Sequence, residues 1–159
     1  MPPKIEKVVS GGQSGADRAA LDAAIEFGIQ TGGWIPKGRR AEDGKIPVIY
    51  DTLQECDTRN YATRTALNVR DSDGTLIISR GPLSGGSLLT RDLAKRYGRP
   101  FLHINLENTS IEKAVEDVRA WLESFECRVL NVAGPRASSD PGIHLAVKEL
   151  LTALLGPAD

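Results

Sequence analysis

Cysteine is scarce in this chain: Cys56 and Cys127 are the only two among 159 residues, in unrelated segments with no Cys-x-x-Cys or Cys/His spacing. That excludes a disulfide framework and leaves no zinc pattern to read. Aromatic residues make up 5% of the chain, and the net charge is −1. A groove for nucleic acid needs a basic track with stacking platforms, so nucleic acid is not an expected partner. No apolar run approaches the ~18 residues that span a bilayer, and the N-terminus lacks the charged-then-apolar pattern of a signal peptide. A membrane is not an expected partner either, and a cytoplasmic location is the default expectation. Also missing are the full Gly-x-Gly-x-x-Gly dinucleotide fingerprint, the Gly-Lys-Ser/Thr ending of a P-loop, and any spacing that assigns a Ser/His/Asp or Cys/His catalytic set.

With 40% apolar and 26% charged residues, the chain has the make-up of one globular domain spanning residues 1–159. Short apolar runs alternate with amphipathic stretches. Strands are expected at Ile5–Ser10, Ile29–Ile35, Thr75–Ser79, Phe101–Asn105 and Arg128–Val132. Helices are expected at Ala16–Phe27, Asn60–Arg70 and Ser87–Tyr97. Ile111, Ala114, Val115, Val118, Leu122 and Phe125 make a further helical stripe, with Thr109 and Glu112 as a capping box. A last helix carries Ile143, Val147, Leu150, Leu151 and Leu154 and is capped by Asp140-Pro141. The region 36–58 reads as a long irregular excursion with one strand-like run, Val48-Ile49-Tyr50, of the kind that forms lids and binding loops.

This alternation predicts an α/β fold, a three-layer Rossmann-like sandwich around a mostly parallel five-stranded sheet. If the first and third strands are neighbours, the order is 2-1-3-4-5. The loops that follow them then flank the topological switch point, where open α/β sheets bind ligands.

Those loops are the most informative part of the chain. Gly11-Gly12-Gln13-Ser14-Gly15 and Gly81-Pro82-Leu83-Ser84-Gly85-Gly86-Ser87 each follow a short strand and open a helix. Bare backbone N–H groups at a helix start form an anion site, and two such loops at one edge suit a phosphorylated ligand. Gln13, Ser14, Ser84 and Ser87 add side-chain donors. The competing reading is that these are tight turns, with serines as helix caps and Asp17 complementing a helix dipole. Trp34 offers a stacking face, and Lys37 and Arg39, beside Arg40, offer charge for a phosphate clamp; each reads equally as core or solvated loop. Ala133-Gly134-Pro135-Arg136-Ala137-Ser138-Ser139 repeats the glycine pattern; either its Arg136 and Ser138 reach the same edge, or Asp140 and Pro141 merely start the last helix. His103 reads as a satisfied core histidine, and His144 has no partner at metal-ligand spacing.

Four segments, 10–22, 32–44, 64–75 and 131–136, together resemble the putative molybdenum carrier family across nearly the whole chain. The Gly32-Gly33-Trp34-Ile35-Pro36-Lys37-Gly38-Arg39-Arg40-Ala41-Glu42-Asp43-Gly44 segment is the most specific. The resemblance implies a Rossmann-type fold, a homo-oligomer and a pocket for a phosphorylated heterocycle, with the molybdenum cofactor (molybdopterin) or a nucleotide as ligand. It extends to the Rossmann-like nucleotide-sensing domains that include phosphoribohydrolases. Their Pro-Gly-Gly-x-Gly-Thr-x-x-Glu motif is not matched by Leu83–Asp92, which favours binding over hydrolysis. The alternative is an enzyme that cleaves the N-glycosidic bond of a nucleoside monophosphate, for which Asp17 and Asp92 are the candidate carboxylates.

Overall fold

The computed structural model describes residues 4–157. In chain order its first elements are β1 (Lys7–Val9), α1 (Ala16–Glu26), β2 (Gln30–Gly32), β3 (Trp34–Ile35), β4 (Arg40–Ala41), β5 (Gly44–Lys45) and β6 (Gln54–Glu55). Then follow α2 (Tyr61–Arg70), β7 (Gly74–Ser79), α3 (Gly85–Tyr97), β8 (Phe101–Asn105), α4 (Ile111–Glu123), β9 (Val129–Ala133) and α5 (Ile143–Leu155). Among the described residues, no helix is long and apolar enough to cross a membrane.

β1, β2, β7, β8 and β9 form one sheet in which every pairing is parallel. A large apolar core packs α1, α4 and α5 on one side, with Ala20, Val118, Leu150 and Leu151 among its buried members. α2 and α3 pack together through a smaller cluster of Val69, Leu93 and Ala94 with Phe101. These three layers are the expected Rossmann-like sandwich. The excursion between β3 and α2 is better ordered than its composition implies. Ile35, Ala41, Ile46, Tyr50 and Leu53 bury themselves against Leu21 of α1 as a third cluster. Its Val48-Ile49 run is not a strand but an exposed turn.

The strand order differs from expectation. It is β2-β1-β9-β7-β8, so the last strand enters the middle of the sheet between the first and third sheet strands. Burial explains the placement. Leu130, Asn131 and Val132 of β9 are all buried, whereas β8 and β2 keep partly exposed residues suited to sheet edges. Asp73 fixes the entry of β9, its Oδ2 accepting the Arg128 and Val129 amides at 3.0 and 2.9 Å. Counted from β9 rather than β1, the order reads 3-2-1-4-5, that of a doubly wound sheet. The switch point therefore lies between β9 and β7, and the loops after those strands flank it.

Glycines make this close assembly sterically feasible. A Cβ on Gly134, just past β9, would overlap the Ile78 carbonyl and stand 2.7 Å from the Ala16 methyl. Gly33 (φ 128°) abuts the Ser10 backbone and splits the expected Ile29–Ile35 strand into β2 and β3. Two caps also differ from expectation. Ser110, not Thr109, caps α4 by accepting the Lys113 amide at 3.1 Å. Asp140 lies ahead of α5 and pairs with Arg80, which ties the loop after β9 to the loop after β7.

Gly134→Ala is expected to destabilise the protein by about 1–3 kcal/mol, because overpacking against backbone cannot relax by a rotamer change. Urea unfolding checks it, with Gly86→Ala as the contrast, a site without positive φ where a Cβ meets nothing within 4 Å.

Candidate functional site

The three glycine loops meet at the carboxyl edge of the sheet, but they do different work. In the first loop two amides are used by the protein. The Gly12 N–H donates to Ser10 Oγ at 3.3 Å, and the Gln13 N–H to Asp17 Oδ2 at 3.2 Å. Just beyond it, the Ala16 N–H donates to the Pro135 carbonyl at 3.1 Å. Gly12 (φ 70°) faces Ile35, Ile46 and Leu53, and Gly15 (φ 86°) abuts the backbone at 135–137. Gly11 leaves room for Arg64, whose guanidinium would overlap a Cβ there. Gln13 donates from Nε2 to the Arg40 carbonyl at 2.9 Å and accepts the Glu42 amide at 3.3 Å. Ser14 donates to Glu42 and accepts the Ala137 amide. The first loop thus joins the β4–β5 hairpin to the third loop.

A cavity of about 350 Å³ opens where the second and third loops face α2. All of Ser84, Gly85, Gly86 and Ser87 line it, as do Gln13 and Arg136. Ser84 precedes α3 in an extended conformation, and its side chain caps nothing. A Cβ on Gly85 or Gly86 would meet nothing within 4 Å, so the helix start is open. The wall opposite is made by residues not expected from the sequence, Tyr61, Arg64 and Thr65 of α2, together with Asp17 of α1. The guanidinium carbons of Arg40 and Arg136 lie 4.4 and 4.2 Å from the centre of the Tyr61 ring, within cation–π range. Arg136 donates no hydrogen bond to any described residue. Arg64 donates none either; its Nε is buried without a partner, and its Nη1 stands 3.6 Å from Asp17 Oδ2. Burial pushes the Asp17 carboxyl above its ordinary range, against the pull of Arg64 and the Gln13 amide. Burial likewise lowers the Arg64 guanidinium.

Trp34, Lys37 and Arg39 lie away from this cavity. Trp34 is held to α2: Asn68 bonds its backbone at 2.7 and 3.0 Å, and its indole N–H donates to Asp71. Arg39 (φ 56°) turns inward and donates to the carbonyls of Ile46, Pro47 and Tyr50, bracing the excursion. Lys37 is exposed in a 3-10 turn. Of the two candidate carboxylates, Asp17 lines the cavity, while Asp92 pairs with Arg91 on the exposed side of α3. His103 Nε2 is 2.6 Å from Ser79 Oγ, and His144 bonds Asp22 at 2.9 Å. Among the described residues, no group of three or more His, Cys, Asp or Glu could hold a metal ion.

Residues 8–155 match the model of the circularly permutated YpsA SLOG family, and the chain belongs to that family. Moving a terminal strand is what turns a 3-2-1-4-5 sheet into the order found here. Among solved structures, that of a putative molybdenum carrier protein from Syntrophus aciditrophicus SB is 53% identical with a TM-score of 0.96, over 98% of each chain. A comparison with curated proteins finds no match.

The hairpin latch has an acid-sensitive signature. Burial alone would raise the Glu42 pKa, but the Ser138 and Ser14 hydroxyls and the Ser138 amide outweigh it and hold it low. Asp43 is held low chiefly by its paired hydrogen bonds from Arg18, at 2.6 and 2.8 Å. Folded carboxylates with lowered pKa bind protons more weakly than unfolded ones. Their contribution is present above the unfolded values, about 4, and is lost as pH falls through the lower folded values. A Glu42→Gln/Asp43→Asn double variant should be less stable at pH 7 and show a shallower loss of stability on acidification. Urea midpoints from pH 7 down to pH 3 measure both.

Proposed function

We propose that this chain binds a small phosphorylated heterocycle as a carrier rather than transforming it, with the phosphate at the start of α3. The observation that carries this reading is a convergence of unused donors. The amides of Gly86 and Ser87 at an uncapped thirteen-residue helix and the unbonded guanidinium of Arg136 face one cavity at the switch point. A helix start and an arginine together favour an anion far more than either alone. A volume of about 350 Å³ lies at the lower end of the range of small-molecule sites.

The relative described as a molybdenum carrier makes the molybdenum cofactor, or a nucleotide, the candidate ligand. The donor set fits the phosphate of such a cofactor, and the metal would arrive as cargo on the ligand. The proposed setting is cytoplasmic, with the chain assembled as a homo-oligomer, in line with the family resemblance. Hydrolysis of an N-glycosidic bond would need an ionised carboxylate, and burial disfavours the charged form of Asp17, the candidate that lines the cavity.

Arg136→Gln is expected to weaken binding of inorganic phosphate about 10- to 100-fold and to flatten its salt dependence, since a charge-assisted contact is lost. Arg136 makes no hydrogen bond with a described residue and stacks on Tyr61, so the variant should stay folded, with a urea midpoint lowered only by the loss of that contact, about 0.5–1 kcal/mol. Calorimetric titration with phosphate at two salt concentrations checks it, and unchanged affinity contradicts the reading. Native mass spectrometry of protein from its own host identifies the resident ligand.

A further inference from the structure

The end of the cavity away from α3 is built differently. Asp17 is only 4% exposed and uses one oxygen within the protein: Oδ2 accepts the Gln13 amide and faces Arg64. Its Oδ1 accepts no hydrogen bond from any described residue, and Asp17 lines the cavity. Beside it, Arg64 lines the same wall, and none of its guanidinium N–H groups donates a hydrogen bond to a described residue. An acceptor with a free lone pair thus stands next to a donor with free hydrogens, on the cavity wall. Unmade polar bonds of this kind are costly when buried, and a ligand that completes both removes the cost.

Asp17 and Arg64 stand side by side with opposite charges, with Arg136 near both, whereas the start of α3 offers backbone donors. Both partners are planar groups, and a guanidinium fork beside a carboxylate matches a flat edge that shows an acceptor next to an N–H donor. We infer that the Asp17–Arg64 pair reads the hydrogen-bonding edge of the ligand's ring, which makes the ligand an amino- or lactam-bearing nitrogen heterocycle carrying a phosphate. This rests on the phosphate placement proposed above. Asp17 is then the specificity-determining residue of the site, and Gly11 serves it by leaving room for Arg64.

Calorimetric titration of the full chain with AMP, GMP, purine riboside 5′-monophosphate and ribose 5-phosphate tests the assignment. The unsubstituted purine keeps the ring, ribose and phosphate but lacks the donor. At least one of AMP and GMP should bind about 10- to 100-fold more tightly than purine riboside 5′-monophosphate, the cost of leaving Asp17 unanswered. In Asp17→Asn the Gln13 amide holds the new oxygen in place of Oδ2. The free position becomes an NH₂, and the gap should close to within about threefold. Circular dichroism confirms that the variant is folded; if it is not, the wild-type comparison decides alone. Equal affinity for all three purine nucleotides, or ribose 5-phosphate binding as tightly as AMP and GMP, overturns this inference and leaves the phosphate site standing. If none of the four binds and inorganic phosphate does not bind either, both readings fall.

Discussion

A side chain at position 134 would occupy the space of the Ile78 carbonyl and crowd the Ala16 methyl, and one at position 15 would press into the backbone at 135–137. With glycine at both places, three stretches of backbone meet almost without side chains between them. β9 can then lie between β1 and β7, and the loop beyond it runs directly beside the start of α1. This contact sets the position of Arg136, and the Arg80–Asp140 pair links the same loop to the approach to α3. The cavity is what remains when these loops close on one another and α2 covers them. Its polar lining follows from the backbone approach.

Within that frame the protein spends its polar groups unevenly. The first glycine loop bonds its Gly12 and Gln13 amides internally and, with Arg18 of α1, holds the β4–β5 hairpin through Gln13 and Ser14. The second loop leaves the head of α3 bare, and Arg64 and Arg136 are held at the cavity without hydrogen bonds to spend them on. Native structures leave few buried donors unpaired, because each costs roughly 1–3 kcal/mol. Concentrating them at one edge of the sheet is a feature of sites completed by a ligand. Family membership and the 53%-identical relative agree with such a role and leave the choice of ligand to the chemistry of the wall.

Much of the architecture was legible from periodicity. The α4 stripe and the continuous apolar run of β7 translate directly into buried faces, because both depend on local geometry. The strand order was not legible, since a helical crossover can return a strand to either side of its predecessor. The stronger clue was the burial demanded by Leu130, Asn131 and Val132. For the site, Ser84–Ser87 could be read from a local pattern, a glycine-serine run opening a helix. Trp34 and Arg39 could not, because tertiary bonds to Asn68, Asp71, Ile46 and Tyr50 decide where they point. Arg64 was hidden for the opposite reason: an arginine in an amphipathic helix looks solvated until Gly11 is seen to make room for it.

The central claim is that the start of α3 and Arg136 together hold one oxyanion. Crystals soaked in tungstate and measured for anomalous scattering address it directly. The account predicts a strong tungsten peak within hydrogen-bond reach of the Gly86 and Ser87 amides and of the Arg136 guanidinium. An empty cavity, with tungsten bound only on the outer surface, would contradict it.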